Sequence, residues 1–215
     1  MSKNFVHRGL IVGLTGGIAC GKTTVAELLA QHGADVIDLD EIGHRLLKKG
    51  SPIFDQIVKT FGKEVLDESG DISRAKLGKI VFHDSECRLR LNQITHPAII
   101  EQSWTEAQRL ATLGKERVVI IDSPLLIEAG MQNIVDIVAV VISDDKTQLD
   151  RLIQRSIKQK KPLRVKEAQA RIHSQMPLSE KVKYADFVVE NNGGLDELKT
   201  EVAKLWGDLN KKMKT

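Results

Sequence analysis

The stretch Gly13-Leu14-Thr15-Gly16-Gly17-Ile18-Ala19-Cys20-Gly21-Lys22-Thr23-Thr24-Val25 decides how this chain is read. Gly16, four residues, then Gly21-Lys22-Thr23 is the G-x-x-x-x-G-K-[ST] pattern of a phosphate-binding loop. Its flanks agree with that reading. Leu10 to Leu14 is a short apolar run suited to a buried strand. Val25, Leu28, Leu29 and His32 follow at spacings of three and four, which predicts one face of a helix. Strand, glycine turn and helix are what phosphate binding requires. Glycines let the backbone curl with its N–H groups inward, and a helix N-terminus adds partial positive charge. Lys22 reaches toward terminal phosphates, and the Thr23 hydroxyl suits Mg²⁺. A competing reading takes Lys3, His7 and Arg8, with the apolar run ending at Ala19-Cys20, as a lipoprotein export signal. Three glycines and Thr15 break that run, and Gly17 rather than leucine stands three before the cysteine. The phosphate reading accounts for more letters and makes Cys20 a loop residue.

Bulk composition sets outer bounds. The chain has 215 residues, 41% of them apolar, which suits one globular domain with a smaller insertion. No apolar run approaches the roughly 20 residues that span a membrane. Two cysteines, Cys20 and Cys87, give no disulfide framework and no zinc spacing, and a reducing cytoplasm is the expected location. The net charge is only +3, yet Lys146 to Lys166 holds eight cations against Asp150 alone. That segment has no aromatic residue to stack bases. Following a phosphate loop in the same chain, it reads as a clamp on nucleotide phosphates rather than a nucleic-acid surface.

Apolar runs alternate with helical patterns along the chain, the mark of an α/β fold with a parallel sheet and helices on both sides. Strands are predicted at 34–37, 117–121, 136–142 and 186–190, after the first at 10–14. Helices are predicted at 53–61, 74–82, 86–113 with a break near Pro97, and 144–157, followed by a basic loop at 158–164. Asn191-Asn192-Gly193-Gly194 turns into a C-terminal helix, and the tail at 211–215 is expected to fray. The stretch from about 43 to 113 is mostly helical and reads as an insertion.

Ligands of open parallel sheets bind beyond the C-terminal strand ends. That rule selects Lys22 and Thr23 after the first strand, Asp38 and Asp40 after the second, and Asp122 after the third. A carboxylate there holds Mg²⁺ or accepts a proton from an attacking hydroxyl. One of Asp38 and Asp40 is expected to serve only as a helix N-cap. Gln148, Arg151 and Arg155 share one helix face, with Leu149, Leu152, Ile153 and Ile157 on the adjoining apolar face. Arginines so placed match phosphate oxygens in pairs. His96 before Pro97 reads more readily as a capped break than as a ligand, and composition alone leaves Glu128 open.

Taken in order, these motifs resemble the dephospho-coenzyme A kinase family. The resemblance runs through Gly13–Thr24, Ile37-Asp38-Leu39-Asp40, His96-Pro97, Asp122-Ser123-Pro124-Leu125-Leu126-Ile127-Glu128, Gln148 with Arg151 and Arg155, Arg171-Ile172 with Gln175, and Ala185 to Gly193. It implies a P-loop three-layer fold with a five-stranded parallel sheet core, a helical substrate-binding insertion and a lid. The core would occupy about 8–42, 114–150 and 185–215, the insertion about 43–113, and the lid about 150–184. It implies transfer of the γ-phosphoryl of ATP to the ribose 3′-hydroxyl of dephospho-CoA, with Mg²⁺. Asp40 matches the base. Gly17, Ile18, Ala19, Cys20, Gly21, Lys22, Thr23 and Thr24 match the phosphate cradle, and Thr23 the metal ligand. Arg151 and Arg155 match lid arginines, with Arg151 counted beside Asp40 and Lys22 as catalytic. Asn191 and Asn192 fall near the adenine. Asp38, Asp40, His44, His96, Leu125 and Glu128 line the dephospho-CoA side. The expected partner is that small molecule, with no nucleic acid or membrane, in a monomer or weak homo-oligomer.

The chain departs from the family pattern in three places. Ala19-Cys20 stands where the family commonly reads Gly-Ser, and alanine serves there only if the backbone does not need positive φ. His44, with Arg45 next, stands where arginine is frequent. The basic stretch at 158–166 is longer than the usual lid loop. Two rival readings remain. One is another small-molecule or nucleotide kinase of the same fold. The other is a non-enzymatic P-loop switch, which lacks here both a guanine-reading Asn-Lys-x-Asp and an Asp-x-x-Gly at Asp122.

Overall fold

The computed structural model describes residues 9–213. Lys3, His7 and Arg8, and Lys214 and Thr215 of the tail, lie outside the described residues. Five strands form one sheet: β1 (Leu10–Gly16), β2 (Asp35–Asp38), β3 (Val118–Asp122), β4 (Ile137–Ile142) and β5 (Phe187–Glu190), in the order β2-β3-β1-β4-β5. β1 runs parallel to β3, with Leu10 opposite Val118 and Leu14 opposite Asp122. It also runs parallel to β4, with Val12 opposite Ile137 and Gly16 opposite Val141. The chain therefore lays β2 at one edge, fills in with β3 beside β1, and then crosses to place β4 and β5 on the other side. The loop after β1 opens at this switch of direction, where parallel sheets hold ligands. β1 and β3 are buried along their whole length, which is why they read as unbroken apolar runs.

One face of the sheet is covered by α1 (Lys22–Gln31) and α9 (Leu195–Met213). Val25, Leu28 and Leu29 meet Leu198, Val202, Leu205 and Leu209 over Val12, Leu14, Ile120 and Val141. Each such side chain contributes about 1.5–3 kcal/mol by leaving water. His32, expected on the apolar face, is instead the exposed C-cap of α1, stacked on Trp206 at 5.8 Å. On the opposite face a Cβ at Gly13 would stand 2.6 Å from Leu126 and 3.3 Å from Val135, so only glycine lets that layer close. The tail, expected to fray from 211, is helical through Met213, which packs against the same core.

The chain divides into two compact units, 9–37 with 107–213, and Asp38–Glu106. The second holds α2 (Leu39–Leu46), α3 (Phe54–Phe61), α4 (Arg74–His83) and most of α5 (Ser85–Thr112), with an isolated antiparallel bridge between Leu66 and Ile72. Phe54, Ile57 and Phe61 turn one stripe of α3 inward. α5 corrects the expected break: its 28 residues continue through Pro97. Proline removes a single N–H bond, and a helix of this length carries enough bonds on either side to absorb the loss. The first unit also contains α6 (Asp145–Lys158), α7 (Val165–His173) and the short α8 (Leu178–Lys181). α7 and α8 have no counterpart in the elements read from sequence.

Candidate active site

The phosphate loop is the turn between β1 and α1. Gly16 must be glycine because a Cβ there would stand 2.6 Å from the Val141 carbonyl oxygen on β4. Gly21 is the N-cap of α1, in the left-handed region at φ 87°. Among the described residues no side chain caps this helix, and its first turn holds no acidic residue. By contrast Asp38 caps α2, Ser73 caps α4 and Asp144 caps α6. The first-turn N–H groups of α1 have no intrahelical acceptor, and nothing from its own chain neighbours neutralises its positive end. This is the donor geometry a phosphate fits. Ala19 also lies in the left-handed region, at φ 62°. The condition set by the sequence is therefore not met: alanine occupies a backbone position that glycine would occupy without strain.

Behind the loop, three groups hold it in place. The Asn191 amide donates from Nδ2 to the Cys20 carbonyl oxygen at 2.8 Å. That nitrogen stands 2.2 Å from where a Gly21 Cβ would be, so the missing side chain and the asparagine share one space. Lys22 is paired with Asp122, at the end of the adjacent β3. Both side chains are largely buried, so the lysine is oriented before any phosphate arrives. Thr15 donates its hydroxyl to the Pro124 carbonyl at 3.3 Å. Cys20 is fully buried, and burial pushes its thiol above the ordinary range, against a partial downward pull from Ser143, the Gly17 backbone and Arg151. It is a packing residue and a poor nucleophile.

α6 stands over this loop with a face different from the one expected. Gln148, Leu152 and Ser156 form its buried stripe, while Ile157 is exposed. Gln148 thus leaves the arginine face. Its Nε2 donates to the Ser143 carbonyl at 3.0 Å, and its Oε1 would lie 2.9 Å from a Gly17 Cβ. Arg151 donates to the Asn191 carbonyl at 2.8 Å, to Asn191 Oδ1 at 3.3 Å and to the Gly193 carbonyl at 3.2 Å. Asn192 accepts from the Asp144 backbone N–H at 2.8 Å. Asn191, Asn192 and Arg151 are thereby one network that joins the loop after β5 to the phosphate loop and to α6. A cleft of about 390 Å³ opens beside it, lined by Asn191, Asn192, Gly193 and the start of α9. A larger cleft of about 630 Å³ has Gly17 as one wall, Asp145 and Gln148 as another, and the segment from Ile172 to Ser179 as a third.

Known proteins with this arrangement decide the family. A model of the family described as dephospho-CoA kinase matches residues 10–197. The chain belongs to the dephospho-CoA kinase family. A dephospho-CoA kinase from Bacillus cereus is 44% identical over 193 residues, 90% of this chain and 94% of its own. One from Listeria innocua is 42% identical over 194 residues, 90% of this chain and 94% of its own. Among solved structures, the dephospho-CoA kinase from Campylobacter jejuni aligns with a TM-score of 0.72 at 29% identity, over 94% of this chain and 98% of its own. A shikimate kinase from Acinetobacter baumannii aligns with a TM-score of 0.56 at 17% identity, over 95% of this chain and 94% of its own, and shares the fold.

Other residues of this dephospho-CoA kinase family member are placed as follows. Asp38 is the N-cap of α2, accepting from the Asp40 backbone N–H at 2.7 Å. Asp40 is exposed, and among the described residues its carboxylate accepts no hydrogen bond. The pair is thus divided into one cap and one unengaged carboxylate, as the sequence anticipated. His44 is exposed on α2, and the neighbouring Arg45 is paired with Glu106 at 3.2 Å. His96 is half-buried inside α5. Thr23 and Arg155 are exposed, and Leu125 is 38% exposed. Glu128 is engaged by Lys181, a residue the sequence reading missed. Lys181 is fully buried. Its Nζ donates to the Pro124 carbonyl at 2.7 Å and to Glu128 at 3.0 Å, and Glu128 also accepts from the Met176 backbone N–H at 3.2 Å. A lysine in a strongly charged segment is ordinarily a surface residue, so nothing in the letters marked it. Among the described residues no helix is long and apolar enough to cross a membrane, and no three His, Cys, Asp or Glu side chains cluster as a metal site.

Proposed function

We propose that this chain transfers the γ-phosphoryl group of ATP to the ribose 3′-hydroxyl of dephospho-CoA, the last step of coenzyme A synthesis. The observation that carries the reading is the uncapped N-terminus of α1 behind Gly16–Thr24, with Lys22 already oriented by Asp122, in a chain of this family. The loop amides and Lys22 bind the phosphates of ATP and draw charge from them as the transition state loosens. The oxygens of Thr23 and Asp122 are hard donors that suit Mg²⁺, which keeps most of its shell for water and phosphate oxygens. When bound, that ion supplies neutralisation of phosphate charge.

Asp40 is assigned as the base that takes the proton of the acceptor hydroxyl. It lies two residues beyond the end of β2 and, unlike Asp38, is not spent on capping. The phosphorus–oxygen bond to ADP breaks as the bond to the 3′-oxygen forms, and the hydroxyl proton passes to the Asp40 carboxylate. Residues at about 150–184 are assigned as a lid, with Arg155 and the cations at 158–166 reaching the phosphates and excluding water. Arg151 also holds the loop at 191–193 through the Asn191 and Gly193 carbonyls. His44, His96 and Leu125 are assigned to the dephospho-CoA side, and the reaction is assigned to the cytoplasm.

The test is ADP release with a panel of acceptors: dephospho-CoA, shikimate and nucleoside monophosphates, each with ATP and with GTP. Turnover with dephospho-CoA and ATP far above every other pair supports the reading. Equal or greater turnover with another acceptor replaces it with the rival kinase. Tight nucleotide binding with no acceptor turnover points to a switch.

A further inference from the structure

Gln175 lines the 630 Å³ cleft and carries an anomaly. Its amide oxygen Oε1 is shielded from water and, among the described residues, has no hydrogen-bond partner. A buried acceptor left unpaired is unfavourable and rare, so one that lines a cleft calls for a partner that enters the cleft. The segment that carries it is held firmly. The next residue, Met176, gives its backbone N–H to Glu128, and the fully buried Lys181 fixes Glu128 and the Pro124 carbonyl from below. Gln175 therefore sits where the C-terminal end of the assigned lid is tied down to Glu128 and Pro124, not on the free part of that segment.

The surroundings select the chemistry of what it meets. Asp145 lines the same cleft, and Gln148 turns an amide oxygen toward Gly17. Acceptors and a carboxylate repel phosphate oxygens and favour N–H or O–H donors. Gly17 joins this cleft to the phosphate loop. A nucleotide whose phosphates lie on the loop can extend its donor-bearing nucleoside part into the cleft.

We propose that Gln175 is a specificity residue whose Oε1 accepts a hydrogen bond from the nucleoside part of a bound nucleotide, a ribose hydroxyl or an exocyclic amine. The inference rests on the reading of the chain as an ATP-dependent kinase. Gln175 then discriminates by presence of the donor, since a partner lacking it leaves the oxygen unpaired in the complex as well.

The experiment compares wild type with Gln175→Met, close in volume and without the acceptor, and Gln175→Glu, which keeps it. Dissociation constants for ATP, 2′-deoxy-ATP, purine riboside triphosphate and dephospho-CoA are measured by calorimetry, with Tm of the unliganded proteins. Gln175→Met is expected to weaken one of the two nucleotides by about 5- to 150-fold, the span of a lost buried hydrogen bond, while unliganded Tm holds or rises. Gln175→Glu is expected to keep most of that affinity. If ATP is the ligand, the analogue lacking the relevant donor binds wild type and Gln175→Met alike. If dephospho-CoA is the ligand, ATP affinity stays constant across all three proteins. Unchanged affinity for both nucleotides, or a loss of unliganded Tm that accounts for the weakening, overturns the proposal. Wild type that binds ATP but phosphorylates no dephospho-CoA refutes the assigned reaction instead, and the binding series still decides the role of Gln175.

Discussion

Replacing Asn191 by alanine removes one donor that the phosphate loop depends on. The Cys20 carbonyl loses its 2.8 Å partner in a site where Asn191 itself is only 6% exposed. A buried acceptor stripped of its partner costs about 1–3 kcal/mol. The contact from Arg151 to Oδ1 is lost too, but at 3.3 Å it is the weakest of the three that Arg151 makes, and its bonds to two backbone carbonyls persist. The carbonyl term therefore dominates. In a chain of this size each kcal/mol lowers Tm by about 2–4 °C, so a fall of roughly 2–12 °C is expected by scanning fluorimetry. The freed space also matters, because Asn191 Nδ2 fills the position beside the left-handed Gly21. Loosening there misaligns the loop amides, and ATP affinity is expected to fall about tenfold, equivalent to about 1.4 kcal/mol. Asn191→Asp is expected to be worse for ATP than alanine, since it places an acceptor against a carbonyl and a negative charge behind the phosphates. Tm within about 1 °C of wild type, well below the span of a lost buried bond, with unchanged ATP affinity in both variants, would refute the brace.

Three further outcomes follow from the same geometry. Ala19→Gly relieves a left-handed alanine worth about 1–2 kcal/mol against a glycine entropy cost of about 0.5–1 kcal/mol, so Tm is expected to rise by a few degrees, and a fall contradicts the strain. Glu128→Ala leaves the Lys181 ammonium buried with the Pro124 carbonyl as its acceptor and is expected to lose about 3–5 kcal/mol; Lys181→Met leaves a partly exposed Glu128 that water can solvate and is expected to lose less, an order that denaturant titration checks. Burial holds the folded Cys20 thiol protonated beyond the ordinary thiol pKa of about 8.5. The unfolded chain releases that proton first, so stability is expected to fall as pH rises above that range. Cys20→Ala should flatten that slope relative to wild type, and identical slopes would contradict it.

Much of the fold was legible because its signals are local and redundant. Leu10–Leu14 and Val118–Ile121 are continuous apolar runs, and Gly16 to Thr23 fixes what lies between strand and helix. The division of labour between Asp38 and Asp40 was legible as a pair because N-capping uses a carboxylate next to a helix start, though which of them caps needed the observed contact. What was not legible depends on contacts distant in sequence. Lys181 meets Glu128 across 53 positions and Asn191 meets Cys20 across 171. No spacing rule reaches that far. The inward turn of Gln148 was missed because helix angle places it between the arginines and the 152-156 side, and only what α6 rests on decides that it joins the buried stripe. Pro97 misled for the opposite reason, since a local rule was overruled by the length of the helix around it.

The most direct test is incubation of the purified chain with ATP, Mg²⁺ and dephospho-CoA, with the product read by mass spectrometry and ³¹P NMR, beside an Asp40→Asn control. The expected result is one added phosphoryl group on the ribose 3′-oxygen, with Asp40→Asn losing kcat by a factor of about 10²–10⁴, the usual share of a general base, while ATP affinity is kept. No phosphorylated product from wild type that binds ATP, or phosphorylation at another position, would contradict the assignment. Equal loss of kcat and ATP affinity in Asp40→Asn would contradict the role of Asp40 as the base.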